Sequence, residues 1–468
     1  MRPKADLSRL LRPRAVAVVG ATAKSGKVGR IIFETLLRAE RPVYPVHPTE
    51  ATILGRQAFK QVSELPAEVD VAVIATGAER ATEAAEACAA HGIPFIIPVA
   101  GGFAEVGGSG AALEDRLRKL LETTATRILG PNTLGLFVPQ ERLDTIFVEH
   151  GDHVLAQGGG VAFITQSGSV GVEALGLESN IGFGLRAFVG LGNKVDLDEV
   201  DFMQHFADDE RTTCVALYVE ALPNGHEFLE AAGKLARRKP VVVLKAGRTP
   251  TAAAAASSHT GRLAGSDRVV SGAFRQFGIQ RVFDEEQLCD AARVLAVTRP
   301  PEGRRVGIVS PAGGYGVMAT DYVEAADPIV PLAMAKLAPE TETRLGAVAP
   351  AFASLHNPVD LTASATDAMT VDAVRAVAED PGVDIVLCVA LFAPPGITDG
   401  LIRAICGLQP ELTKPLILVA QFGPFTNGHL SRFHDHGVIG FPSIARAVRA
   451  VRWLVERHQI SSRHRGAP

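Results

Sequence analysis

Short apolar runs rich in Val and Ile recur along the chain, and each is followed by a turn and then by a longer stretch rich in Ala, Leu, Glu and Arg. Apolar runs without polar alternation are typical of parallel strands that helices cover on both faces. The repeated order therefore predicts βαβ units and an α/β fold. The predicted strands are residues 15–19, 43–46, 69–75, 95–99, 127–129, 161–165, 185–189, 214–219, 240–245, 305–310, 383–391, 415–421 and 438–441.

The predicted strands fall into three groups separated by turn-rich segments. A chain of 468 residues is too long for one compact core, so several domains are expected. Residues 157–160 are rich in glycine, and residues 298–303 contain two prolines and a glycine that cannot continue a helix. We therefore predict domains at residues 1–145, 146–300 and 301–468.

Composition excludes several classes of protein. The net charge is -4 and no long basic block occurs, so no footprint for nucleic acid is present. The five cysteines lie far apart without zinc-ligand spacing, which predicts buried thiols in a reducing compartment and no metal site. No run of about 20 apolar residues predicts a membrane span, and the first residues lack the apolar stretch of a signal peptide. A cytoplasmic protein is expected.

The first strand leads into a glycine-punctuated loop, Gly20 to Gly29, which can hold phosphate on its backbone N–H groups. The loop misses the Walker A pattern, because Val28 stands where Ser or Thr should ligate magnesium, and it also misses GxGxxG. A tight turn without a ligand is the alternative interpretation. Residues 44–48, 98–103 and 130–135 follow other strands of this domain, so all four segments are expected at one edge of the sheet, where ligands bind.

This first domain resembles the CoA-binding domain of the succinyl-CoA ligase superfamily, which has a turn like Gly130-Pro131-Asn132-Thr133-Leu134-Gly135. Thr133 replaces the cysteine usual in that turn, and His47 stands where an asparagine is common. The resemblance implies CoA contacts at thirteen residues of the four segments. They are Gly20, Ala21, Thr22, Ser25, Gly26, Lys27, Val28, His47, Val99, Ala100, Gly101, Pro131 and Asn132.

The second domain carries a candidate catalytic pair. Glu220 ends the strand at 214–219, and the neighbouring strand leads through an alanine run to His259. An imidazole attacks phosphorus through its unprotonated nitrogen, and a carboxylate that accepts the other N–H fixes the tautomer. The segment Thr165 to Gly171 opens a helix whose free N–H groups could hold an anion, although Ser167 could equally be a simple N-cap.

The run Ser257-Ser258-His259-Thr260-Gly261 and its continuation to Asp267 closely resemble the phosphohistidine segment of NDP-forming acyl-CoA synthetases. The resemblance implies that His259 carries phosphate, that Glu220 orients it, and that Gln166, Ser167 and Gly168 bind the phosphoryl group. In the third domain it implies a second phosphate-binding helix start at Gly313 and Gly314. Residues 357–361 resemble a signature of the ligase domain.

The resemblance covers residues 8 to 455 and implies a Rossmann-like CoA-binding domain followed by two flavodoxin-like domains. It also implies an α subunit of the ADP-forming acetate–CoA ligase type, which converts acyl-CoA, phosphate and NDP to acid, CoA and NTP. The chain has no leftover segment long enough for an ATP-grasp module. An ATP-grasp β subunit is therefore expected to hold ADP/ATP or GDP/GTP with Mg²⁺, in an α2β2 assembly that acts on CoA and a small carboxylic acid.

Two other functions stay open at this point. The chain could be a noncatalytic CoA-binding or regulatory module of the same superfamily, although such modules often lose the histidine that this chain keeps. It could also be an NAD-dependent oxidoreductase, a hypothesis weakened by the absent GxGxxG. The acid is not identified, because residues 190–193 depart from the Ser-x-Gly-Asn form associated with the family.

Overall fold

The computed structural model describes residues 5–148, 158–181, 184–254, 266–327 and 329–465. The chain divides into two compact units. The first unit contains residues 1–179 and 184–289, and the second contains residues 180–183 and 290–468. Within the described residues, no helix combines the length and the apolar character needed to cross a membrane.

The first sheet of the first unit is five-stranded and parallel, in the order β2-β1-β5-β6-β7. All five of its predicted strands are present. Its central strands are buried at every position, which explains why they lack polar alternation. Strands and helices of this part are β1 Ala15–Val19, β2 Val43–Val46, β3 Thr52–Ile53, β4 Arg56–Gln57, β5 Val69–Ile74, β6 Phe95–Pro98, β7 Arg127–Ile128, α1 Ser8–Leu11, α2 Val28–Leu36, α3 Ala78–Ala90 and α4 Gly108–Thr123.

The second sheet of the same unit is seven-stranded, in the order β14-β13-β12-β10-β11-β8-β9. Five strands are parallel, and β8 and β9 add an antiparallel edge that was not predicted. The elements are β8 Leu136–Val138, β9 Leu143–Asp144, β10 Gly158–Thr165, β11 Leu185–Gly190, β12 Cys214–Val219, β13 Val241–Lys245, β14 Gln280–Val282, α5 Gly168–Ile181, α6 Glu199–Asp208, α7 Gly225–Ala236, α8 Asp267–Phe277 and α9 Glu285–Val297. Residues 180–181 of α5 and 290–297 of α9 belong to the second unit.

Local chemistry fixes the ends of the helices that border this sheet. Asp198 caps α6, and Asp201 returns the bond in a capping box. Gly278 ends α8 in the left-handed conformation that glycine adopts most readily. At Gly171, a Cβ would lie 2.7 Å from the ring of Phe188, so glycine lets α5 pack closely on the sheet.

The second unit contains a six-stranded parallel sheet in the order β16-β15-β18-β19-β20, and β17 pairs with β15 outside that path. Its elements are β15 Arg305–Ser310, β16 Ala333–Met334, β17 Val359–Asp360, β18 Ile385–Ala390, β19 Leu416–Ala420, β20 Gly440–Phe441, α10 Gly313–Glu324, α11 Pro339–Val348, α12 Asp367–Glu379, α13 Asp399–Leu408, α14 Thr426–His434 and α15 Ile444–Arg465. The α/β class with Rossmann-like and flavodoxin-like parallel sheets is confirmed.

Single turns of 3-10 helix complete the connections. They are Val62–Glu64, Ala104–Val106, Pro139–Glu141, Gln409–Glu411 and Gly423–Phe425.

Candidate functional site

A cleft of about 570 Å³ lies in the first unit, where the carboxyl ends of strands from both of its sheets meet. It is lined by Val99, Ala104, Glu105, Glu114, Arg118, Asn132, Thr133, Leu134, Phe147, Gln166, Ser167, Gly168, Ser169, Gly192, Asn193, Lys194, Glu220 and Ala221. The cleft therefore brings together predicted CoA, phosphate and catalytic residues, namely Val99, Asn132, Gln166, Ser167, Gly168 and Glu220.

Ser167 and Gly168 start α5 at the wall of this cleft. The Ser167 hydroxyl accepts a long hydrogen bond of 3.5 Å from the Val170 N–H and lies 3.1 Å from the Ser169 hydroxyl. Gly168 and Ser169 are exposed. The first N–H groups of a helix lack carbonyl partners within the helix, and the helix dipole favours an anion there. The geometry is thus compatible with both the capping and the anion-binding interpretations.

Gln166 uses both ends of its side chain to hold the turn that follows β12. Its Oε1 accepts the N–H groups of Glu220 and Ala221 at 2.8 and 3.0 Å. Its Nε2 donates to the Ala221 carbonyl at 2.9 Å and to the carboxylate of Glu199. These four bonds fix the backbone that presents Glu220 to the cleft, and a phosphate contact from Gln166 stays a prediction.

Glu220 is half-buried at the cleft, after β12 as predicted. Burial, the charge of Glu220 and a hydrogen bond to it raise the pKa of the Tyr218 phenol. Lys245, at the end of the neighbouring strand, donates to the Glu220 carbonyl at 2.7 Å. His259 lies outside the described residues, so its pairing with Glu220 stays a prediction.

Two turns join the first sheet to the second at the cleft. The N–H groups of Asn193 and Val195 donate to the carbonyls of Pro131 and Gly130 at 2.9 and 3.0 Å. At Gly192, with φ +60, a Cβ would lie 2.2 Å from the Pro131 carbonyl oxygen. Glycine is therefore required for this close approach. We call residues 190–195 with residues 130–132 the turn junction.

Five polar residues of the cleft region had no predicted role. Asn193 Nδ2 donates to Glu105 at 2.6 Å and to Glu114 at 2.9 Å. Lys194 Nζ lies 2.9 Å from a carboxylate oxygen of Glu199, whose side chain is buried. The left-handed turn that positions Asn193 and Lys194 leaves no hydrophobic periodicity in the sequence, so their contacts could not be predicted from it.

The glycine-rich loop after β1 donates hydrogen bonds to a carboxylate of this chain. Glu50 accepts the Thr22 hydroxyl at 2.9 Å and the Ala23 N–H at 3.3 Å. The Thr22 hydrogen bond is the main cause that lowers the pKa of Glu50. His47 Nδ1 accepts the Glu50 N–H at 3.0 Å. A phosphate at Thr22 or Ala23 would therefore meet Glu50, a contact that was not predicted.

The remaining CoA candidates have differing exposure. Ala21 is buried, Gly20 and Val28 are half-buried, and Ser25, Gly26 and Lys27 are exposed. Pro131 is buried, Ala100 is half-buried and Gly101 is exposed. Of these described residues, none lines the 570 Å³ cleft, and their contacts with CoA stay predictions.

In the second unit, Gly313 and Gly314 begin α10 as predicted. A Cβ at Gly313 would lie 2.7 Å from an Asp360 carboxylate oxygen, whereas a Cβ at Gly314 would meet nothing within 4 Å. Asn357 ties the segment to the sheet, because its amide accepts the Ile308 N–H and donates to the Val306 carbonyl, each at 2.8 Å. The predicted phosphate-binding helix start thus lies against a carboxylate.

Two known protein families match consecutive parts of the chain, in the order of its first two sheets. Residues 14–139 match the CoA binding domain family, and residues 158–295 match the succinyl-CoA ligase like flavodoxin domain family. The chain is 34% identical over 470 residues to the acetate–CoA ligase [ADP-forming] I subunit alpha of Pyrococcus furiosus, covering 98% of this chain and 99% of that protein. The chain belongs to the ADP-forming acetate–CoA ligase family. The predicted family and ligase class are therefore confirmed.

Two further relatives extend this result. Acetate–CoA ligase [ADP-forming] I of Archaeoglobus fulgidus is 34% identical over 98% of this chain, which spans 65% of that longer protein. A structure of the acetyl-coenzyme A synthetase 1 of Ca. Korarchaeum cryptofilum, described as dinucleotide forming and in complex with phosphate and ADP, superposes with a TM-score of 0.89 at 31% identity, covering 99% of this chain and 100% of that chain. The family relationship thus extends over nearly the whole chain.

Proposed function

We propose that this chain interconverts an acyl-CoA and a free acid through an acyl phosphate and a phosphohistidine. Phosphate attacks the thioester carbon and the C–S bond breaks, which releases CoA. An imidazole nitrogen of His259 then attacks phosphorus, and the carboxylate leaves as the free acid. Phospho-His259 finally transfers its phosphoryl group to a nucleoside diphosphate. Each step is reversible.

The observation that carries this proposal is the convergence of Asn132, the start of α5 and Glu220 on one cleft. The CoA-binding crevice, a helix N-terminus suited to phosphoryl oxygens and a carboxylate able to orient an imidazole are the parts that the reaction needs. Gly313 and Gly314 are proposed as the second helix start. The domains at residues 1–145, 146–300 and 301–468 would supply the CoA, histidine and second ligase functions.

The nucleotide site belongs, in this proposal, to an ATP-grasp β subunit that binds ADP/ATP or GDP/GTP with Mg²⁺. The Pyrococcus relative is named as an alpha subunit and is matched over almost its full length, whereas the Archaeoglobus relative is longer than this chain. Both facts support an ATP-grasp module on a separate chain. We propose an α2β2 assembly in the cytoplasm that acts on a small carboxylic acid.

The test is phosphorylation of the complex by ATP labelled at the γ-phosphate. Wild type should acquire an acid-labile label that mass spectrometry assigns to His259, and His259→Ala should abolish it. His226→Ala is the matched control, because His226 is 85% exposed on α7 and should leave the label unchanged. No label on wild-type His259 would refute the mechanism, and CoA binding without phosphorylation would favour the regulatory module instead.

Glu220→Gln tests the orienting carboxylate. The variant keeps the size of the side chain and removes its charge, so phosphorylation of His259 should slow by roughly 10²- to 10⁴-fold if Glu220 supports the imidazole. Equal rates in wild type and variant would remove Glu220 from the mechanism.

A further inference from the structure

Lys194 is a buried cation at the wall of the cleft, and the sequence did not predict a binding or catalytic role for it. Its side chain is only 9% exposed, and that of its partner Glu199 is 5% exposed. A charged side chain this buried is costly to keep unless it is paired or used. Its neighbours Ser167 and Gly168 in the cleft lining are the proposed phosphoryl contacts.

The backbone at Lys194 holds a conformation that a lysine rarely adopts. Its φ is +56, in the left-handed region, and Gly192, two residues earlier, is also left-handed at φ +60. Such residues cluster at functional sites, where the surrounding structure enforces them. Here the turn junction enforces it, because the N–H groups of Asn193 and Val195 on either side are bonded to residues 130–131.

The hydrogen bonds of Lys194 leave one donor for a ligand. An ammonium has three N–H groups. One donates to Glu199 at 2.9 Å and another to the Ala221 carbonyl at 3.3 Å. Among the described residues, the third has no partner.

The charge of the cleft also points to Lys194. Of its described lining residues, Glu105, Glu114 and Glu220 are acidic, and Arg118 and Lys194 are the cations. Both cations are paired, Arg118 with Glu114 and Asp115 and Lys194 with Glu199, but the Arg118 side chain is 46% exposed whereas that of Lys194 is 9% exposed. A phosphate or acyl phosphate in this cleft would carry negative charge, and Lys194 is the better shielded cation available to balance it.

We propose that the third N–H of Lys194 binds a non-bridging oxygen of the phosphate during the acyl transfer. This inference rests on the proposed function. Lys194 transfers no proton. It stabilises the charge on the phosphoryl oxygens while phosphate displaces the CoA thiolate, and again while the imidazole of His259 displaces the carboxylate of the acyl phosphate. Glu199 and the Ala221 carbonyl hold the ammonium in place.

The test compares two phosphoryl donors on the complex of this chain with its ATP-grasp partner. Acetyl phosphate labelled with ³²P reports on chemistry in the cleft, and γ-labelled ATP reports on chemistry at the nucleotide site. For Lys194→Met we expect labelling of His259 by acetyl phosphate to slow by roughly 100-fold, as for the loss of one transition-state donor. Labelling by ATP should be unchanged. Lys194→Arg, which keeps the charge, should lie between wild type and Lys194→Met.

Lys119→Met is the matched control, because Lys119 is exposed on α4 and does not line the cleft. It should leave both labelling rates unchanged. Equal rates for Lys194→Met and wild type with acetyl phosphate would overturn the inference. A parallel loss with both donors would also overturn it, because it would indicate a structural role. Wild type labelled by ATP alone would overturn it as well, whereas wild type labelled by neither donor would refute the proposed function itself.

Discussion

Gly192→Ala should separate the two turns of the turn junction. The new Cβ would lie 2.2 Å from the carbonyl oxygen of Pro131 and 2.5 Å from that of Asn132. Both atoms are backbone, so no side chain can rotate away to make room. The residue also has φ +60, a conformation that alanine adopts only with strain.

The size of the effect follows from what the turn must give up. The left-handed conformation costs alanine about 1 kcal/mol relative to glycine. The two backbone hydrogen bonds from Asn193 and Val195 each contribute about 1 kcal/mol. The conformational cost and the two lost hydrogen bonds add up to about 3 kcal/mol, which lowers Tm by about 6–12 °C in a domain of about 150–250 residues. Thermal unfolding followed by circular dichroism measures the shift.

Gly92→Ala separates the cost of backbone strain from the cost of a steric contact. Gly92 has φ +84, and a Cβ there would meet nothing within 4 Å. This variant should lose only the conformational term of about 1 kcal/mol and about 2–4 °C in Tm. If Gly192→Ala and Gly92→Ala lower Tm equally, the turn junction contributes nothing to stability and the reasoning is wrong.

Three further predictions use other parts of the chain. Burial raises the pKa of Asp70, but hydrogen bonds from Arg14 and its charge lower the pKa overall. The Asp70–Arg14 pair therefore contributes its full stabilisation of the folded state above the unfolded-state pKa of about 3.9. This contribution is lost as the pH falls through the lower folded-state pKa. Asp70→Asn should lower Tm at pH 7 and reduce its fall in acid, and parallel Tm curves for both proteins would contradict this. Gly313→Ala should have a lower Tm than Gly314→Ala, because its Cβ would lie 2.7 Å from the Asp360 carboxylate whereas that at Gly314 would meet open space; equal Tm values would argue against the contact. Burial raises the pKa of Cys88 and Cys388 to about 12, so iodoacetamide at pH 8 should modify the half-buried Cys406 first, as peptide mapping would show. Early alkylation of Cys88 would indicate that its burial is transient.

The long strands could be predicted because burial on both faces leaves a continuous apolar run in the sequence. Residues 214–219 are an example, since β12 has this range in the structure. Strands β3, β4, β8, β9, β14, β16 and β17 were missed, because runs of two or three residues carry too little pattern to separate them from loops. Their pairing depends on partners distant in sequence, as for β8 with β11.

The candidate site shows the same division. Ser167, Gly168 and Glu220 could be predicted to approach each other, because carboxyl ends of neighbouring parallel strands share one edge of a sheet. Lys194 and Glu199 could not be predicted, because a left-handed turn and a contact between two sheets position them. Glu50 was missed for a related reason, since its contact with Thr22 joins the two loops that follow the neighbouring strands β1 and β2.

The contacts of the cleft suggest how it would distinguish a phosphoryl group from the carboxylates that already line it. Both oxygens of Glu105 accept hydrogen bonds, from Gly102, Phe103 and Asn193. The side-chain amide of Gln166 donates its N–H groups to the Ala221 carbonyl and to Glu199. Among the described residues, the donors that remain for a ligand include the first N–H groups of α5 and the third N–H of Lys194. Donors from two directions suit a tetrahedral anion with several oxygens better than a planar carboxylate. A preference of the cleft for phosphate would therefore follow from the positions of these donors. The acidic side chains of the lining disfavour anions, and an anion that does not bind all of these donors would not offset that effect.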